Sequence, residues 1–86
     1  MSHEPSYLDV STDLKRCIYA SYTKDKFRNK EFIHFYNEAL KNLSAAKKEK
    51  TTKDIEIAES LIKNSQKLDG DYRRDSLLTA AILLRI

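Results

Sequence analysis

In the stretch EFIHFYNE, Glu31 and His34 stand three residues apart, and Glu38 follows four residues after the histidine. On a helix that spacing puts a carboxylate and an imidazole on one face, the way four-helix di-iron proteins present their ligands. Such a centre also needs a second Glu/His pair and two further glutamates. Glu56 and Glu59 are the only other glutamates at that spacing, and the remaining histidine, His3, lies in the N-terminal segment. No metal site is expected, and His34 reads as an exposed residue interacting with Glu38.

Other chemistries fare no better. No Ser-His-Asp or Cys-His order comes with supporting context. One glycine in 86 residues cannot build a phosphate-cradling loop. Paired catalytic carboxylates need a cleft, which a bundle of this size rarely has. The single cysteine, Cys17, precedes Ile18 on an apolar helical stripe and reads as a small buried hydrophobe. No enzymatic activity, cofactor or small-molecule substrate is expected, which leaves binding.

Two binding chemistries can be drawn from the residue types. Net charge is +3, but residues 24–53 hold nine basic and four acidic residues, a net +5, and the flanking segments are each −1. Lys24, Lys26, Arg28, Lys30, Lys47, Lys48, Lys50 and Lys53 form a candidate basic patch with aromatics interleaved. Such a patch can hold phosphates without sequence preference, or steer encounter with an acidic protein. The run TTKDIEIAESLIKNSQKL starts like the first helix of a helix-turn-helix, but Lys63-Asn64 stands where that motif turns on glycine. A nucleic-acid-binding regulator is therefore the second choice. Five tyrosines favour protein recognition, since the ring is a large apolar body with a hydroxyl handle. Tyr19 falls off the inner stripe of its helix and is expected to be exposed.

The elements that must carry these residues are helical. With one Gly, one Pro, 41% apolar and 34% charged residues, the chain has little material for hairpins or barrels. The fold class expected is all-α, a small antiparallel bundle of three to four helices in one domain spanning 1–86, after a flexible 1–5 segment. Helices are predicted at about 6–23, 30–46, 53–68 and 72–86. The first, capped by Ser6 or Ser11, carries Tyr7, Val10, Leu14, Cys17, Ile18 and Tyr22 inward at alternating threes and fours. The second offers a broad stripe from Phe32 to Leu43. The third, capped by Thr51 with Asp54 three residues on, turns Ile55, Ala58, Leu61, Ile62 and Leu68 inward. Gly70 suits a left-handed cap, and Asp71 or Asp75 a helix start.

The last helix sets the functional expectation. In LLTAAILLRI only Thr79 and Arg85 are polar. Leu77, Ala81 and Leu84 form one line on the helical wheel, Leu78, Ile82 and Ile86 a second, and Leu83 a third side. A helix apolar on most of its circumference must be covered, and three helices of this length have difficulty enclosing a fourth. The chain is therefore expected to be a non-enzymatic protein–protein interaction module of adaptor, inhibitor, immunity or co-chaperone type. It would bind a protein partner, a second copy or both. Leu78, Ile82, Leu83, Ile86, Tyr19 and Phe35 are the candidate docking residues. The apolar run is about half the roughly 20 residues that span a bilayer. Neither a membrane span nor a secretory signal is expected, and with a lone cysteine the expected compartment is the cytoplasm.

Overall fold

The computed structural model describes residues 6–23 and 25–85. They form four α-helices: α1 (Tyr7–Ala20), α2 (Lys30–Lys47), α3 (Lys53–Asn64) and α4 (Gly70–Leu83). Short 3-10 turns at Lys26–Arg28 and Ser65–Lys67 complete the order, and there is no strand among the described residues. The all-α bundle expected from composition is what the chain forms. The 1–5 segment, Lys24 and Ile86 lie outside the described residues.

Helix ends explain where the predicted boundaries shift. Ser6 starts α1 through a reciprocal box: its Oγ accepts from the Asp9 amide and its amide donates to Asp9 Oδ2. The helix stops at Ala20, not near residue 23, because side chains take its last carbonyls. Ser21 Oγ donates to Ile18 O at 2.6 Å, and Thr23 Oγ1 to Ala20 O at 2.8 Å. Asn29 Nδ2 also reaches Ala20 O at 2.7 Å, while its Oδ1 accepts from the Phe32 amide. One asparagine thus closes α1 and opens α2.

α3 starts on Thr52, whose hydroxyl accepts from the Ile55 amide, and not on Thr51. It ends at Asn64, short of the expected 68. Leu68 then lies in extended backbone and is exposed instead of facing inward. Before α4, Gly70 takes φ +53, the left-handed region that glycine enters without a Cβ penalty. The helix begins there, ahead of residue 72, with Asp69 at its N-cap making no side-chain bond. Neither Asp71 nor Asp75 is the cap, and the helix stops at Leu83, short of 86.

α1 packs between α2 and α4, and α3 lies against α4. Tyr36 Oη closes the square by donating to Ile62 O at 3.1 Å, and Lys47 Nζ reaches Glu59 Oε1 at 2.8 Å. That contact holds Glu59 below the usual carboxylate range and Lys47 above its usual value, through the hydrogen bond between them. Val10, Leu14, Phe32, Leu43, Ile62, Leu77 and Leu84 fill the middle. Extents of 37 × 29 × 17 Å leave room for two helix layers across the short axis, so every helix keeps an outward face.

Cys17 sits in this core, fully buried, with Sγ 3.6 Å from Phe32 O. Burial, reinforced by the Asp13 carboxylate, pushes its thiol up to about 12 from 9.0. Thiolate is the reactive form, so Cys17 is expected to resist alkylation at pH 8 until the protein unfolds. Because its folded pKa is raised, the associated stability is complete below pH 9.0 and is lost as pH rises toward about 12. Alkylation rates with and without urea, followed by mass spectrometry, check this. A thiol that labels freely in the native state contradicts the burial.

An apolar face built from two helices

The orientation of α4 determines what the molecule presents. Three polar attachments set it. Ser11 Oγ on α1 donates to Ala81 O at 2.8 Å, and Ser76 Oγ on α4 donates to Leu61 O of α3 at 2.9 Å. Arg74 reaches the end of α1, with Nε 2.7 Å from Ser21 Oγ and Nη2 2.9 Å from Ser21 O. Between these points lie Ala80 and Ala81, fully buried, whose small side chains let α4 approach its neighbours closely. The same contacts run α1 and α4 antiparallel, Ser11 level with Ala81 and Ser21 with Arg74.

With that rotation set, Leu77, Ala81 and Leu84 point inward, and Leu78 and Ile82 of the second line point out. Leu78 is 43% exposed and Ile82 is 56% exposed. On the adjoining helix Tyr19 is 76% exposed and Tyr22 is 67% exposed. Lys15, Ile18, Tyr19, Tyr22 and Leu78 line a shallow groove of about 330 Å³ between α1 and α4. Arg74 stands under this end of the groove, its guanidinium carbon 4.3 Å from the Tyr22 ring centre.

The structure therefore brings together three of the six expected docking residues, Leu78, Ile82 and Tyr19. Leu83 does not join them. It is half-buried on the far side of α4, where it lines a separate cleft with Tyr7 and Ile55. Phe35 does not join them either: it packs under Arg16, 5.6 Å from the guanidinium to the ring centre, on the flank of α1 that faces α2. The neighbouring Phe32 and Tyr36 are buried in the core and are not beside the docking line. Ile86 lies outside the described residues. Tyr22 is a correction of the opposite kind. The stripe pattern places it inward, but α1 ends two residues earlier and the ring stands in solvent.

The basic residues do not form one patch. Lys26, Arg28 and Lys30 are exposed at the start of α2. Lys47 ends that helix, and Lys48, Lys50 and Lys53 follow it, about 27 Å away along 18 residues of helix. Lys47 is engaged by Glu59, and Lys24 lies outside the described residues. A cleft of about 450 Å³ at the first group is lined by Lys26, Arg28 and Arg73, but also by Asp25 and Asp69. There Arg73 lies against the Phe27 and Phe32 rings, 4.5 and 5.3 Å from their centres, with its buried Nε unpaired among the described residues. Mixed charges make this a poor cradle for a single ionic sign.

His34 is exposed and lies edge-on to Phe35, ring centres 5.1 Å apart, instead of pairing with Glu38. Among the described residues no group of three or more His, Cys, Asp or Glu side chains could hold a metal ion. Nor is any described helix long and apolar enough to cross a membrane. No protein-family model, no curated protein and no solved structure matches the chain.

Proposed function

We propose that this chain is a non-enzymatic protein–protein interaction module, of adaptor, inhibitor or co-chaperone type, that docks a helical surface on its α1–α4 face. One observation carries the reading: α4 is closed on one flank and leaves Leu78 and Ile82 half in solvent on the other, beside two exposed tyrosines. Other large apolar residues stand exposed on other elements, Ile33 on α2 and Ile57 on α3, and single exposures of that kind are ordinary. The α1–α4 residues are contiguous, which is the property that marks interaction sites. A groove between antiparallel helices accepts the ridge of a third. Covering the remaining exposed part of Leu78 and Ile82 contributes about 1 kcal/mol each, and the tyrosine rings add area while their hydroxyls keep hydrogen bonds.

A photo-crosslinking amino acid placed at Ile82, and at exposed Asn37 on α2 as control, tests this in cells that make the protein. The expected outcome is a defined adduct from position 82 that Leu78→Asp abolishes, with none from position 37. Equal labelling at both positions, or none at 82, overturns the proposal. The runner-up, nucleic-acid binding through residues 24–53, instead requires labelled DNA or RNA to shift at low salt and release steeply as salt rises. The separation of the two lysine groups speaks against it.

A further inference from the structure

We infer that the occupant of the α1–α4 face is a second copy of this chain, with α4 lying antiparallel on α4 of its partner about a two-fold axis level with Ala80. The inference rests on the docking proposal above and names its partner. It comes from the order of residues along the exposed flank. Asp75, Leu78 and Ile82 follow on one stripe of α4 at spacings of three and four, and Arg85 comes three residues later in the turn that ends the helix, its amide bonded to Ile82 O; all four are exposed. The stripe reads acid, apolar, apolar, base, and it is symmetric about residue 80.

An antiparallel copy therefore sets Leu78 of one chain beside Ile82 of the other, twice, and Asp75 beside Arg85, twice. A single repeat of the same four residues with like charges at both ends would oppose carboxylate to carboxylate. Isologous contacts of a two-fold dimer require this self-complementarity. Opposite charges at the rim set register and suppress other partners more than they add affinity.

α1 extends the match. Ser11 is level with Ala81 and Ser21 with Arg74, so Tyr19 stands close to the level of Asp75. The incoming Arg85 then meets a carboxylate and an exposed aromatic ring together, the pairing that a planar guanidinium favours. Lys15, level with Leu78 in the groove, is a like-charged group the arrangement brings toward its own copy. Two 14-residue helices side by side, each about 21 Å long, make a small interface. Self-association in the micromolar range is expected.

Sedimentation velocity on the full chain from about 1 μM to 1 mM tests the assignment, with far-UV circular dichroism confirming that each variant is folded. The wild type is expected to dimerise, and Asp75→Arg and Arg85→Asp each to weaken dimerisation about tenfold. Mixing those two variants restores both pairs and is expected to give heterodimer at near wild-type affinity, as is the double variant D75R/R85D with itself. Lys15→Leu is expected to tighten the dimer. A dimer that both single variants leave intact, or that neither the mixture nor the double variant restores, overturns the inference. A wild type that stays monomeric at 1 mM also overturns it. In that case an Ile82 adduct to a different protein preserves the docking reading, whereas no adduct removes both.

Discussion

Leu77→Ala is expected to lower the unfolding free energy by about 2–5 kcal/mol, while Leu78→Ala, one residue later, costs under about 1 kcal/mol. Both substitutions delete the same atoms from the same helix. They differ in what surrounds them: Leu77 is 0% exposed within the central cluster, and Leu78 is 43% exposed at the groove. The first leaves a cavity among packed neighbours, and the second trims a side chain already half in water. At roughly 0.05–0.15 kcal/mol per residue the whole domain has about 4–13 kcal/mol of stability. The Leu77 variant should therefore lose a large share of it and show a visibly lower urea midpoint. Conversely, Leu78→Ala is expected to weaken association with whatever covers the face, while moving the urea midpoint of the isolated chain far less than Leu77→Ala does. Equal destabilisation by the two variants would mean that α4 is rotated differently from the arrangement described.

The second large effect is expected at Arg74. Its guanidinium makes two hydrogen bonds to Ser21 and pairs with Asp71 at 3.0 Å, with the side chain only 13% exposed. Ser21 O follows the last carbonyls of α1, which Ser21, Thr23 and Asn29 take, so this arginine extends the cap of one helix while holding the start of another. Arg74→Ala removes a charge-assisted pair of bonds and leaves a part-buried carbonyl and hydroxyl short of a donor, a cost of about 2–3 kcal/mol. Arg74→Lys recovers little of it, because an ammonium cannot span Nε and Nη positions with fixed geometry. The Asp71 contact contributes little, since that carboxylate is exposed. Urea melts give the energy, and amide exchange in the last turn of α1 gives the location. If Arg74→Lys matches the wild type in both, the forked geometry is not what ties the helices together.

Much of the bundle was legible in residue spacing. Val10, Leu14 and Cys17 on α1, Phe32, Tyr36, Ala39 and Leu43 on α2, and Ile55, Ala58 and Ile62 on α3 repeat at threes and fours and are all buried. The Ser6 cap was also readable, since its partner Asp9 is local. Ile33, counted in the broad stripe of α2, instead stands exposed on the edge of that helix, and the other misjudged stripe positions lie just past helix ends. Tyr22 and Leu68 continue an inward stripe only if the helix continues, and both helices stop first. The stop at Ala20 comes from Ser21, Thr23 and Asn29 turning onto carbonyls. Asn29 is nine residues away, and no helical period records it. Likewise apolar character alone groups Phe35 and Leu83 with the docking line, and the fold sends them to different flanks.

The last helix shows the division most clearly. By itself the sequence determined that residues 77–84 carry an apolar rod with at least one flank in the core, because so many aliphatics on one short helix cannot all remain wet. It could not choose between the Leu77 line and the Leu78 line, since hydrophobic burial is non-directional and scales with area, and the two lines are nearly alike in area. Only the tertiary structure made that choice, through directional bonds. Ser11 to Ala81, Ser76 to Leu61 and Arg74 to Ser21 join residues 15 to 70 positions apart, and the adjacent alanines at 80 and 81 permit the close approach those bonds require. A few short polar contacts thus rotate a greasy helix so that one side becomes core and the other becomes surface.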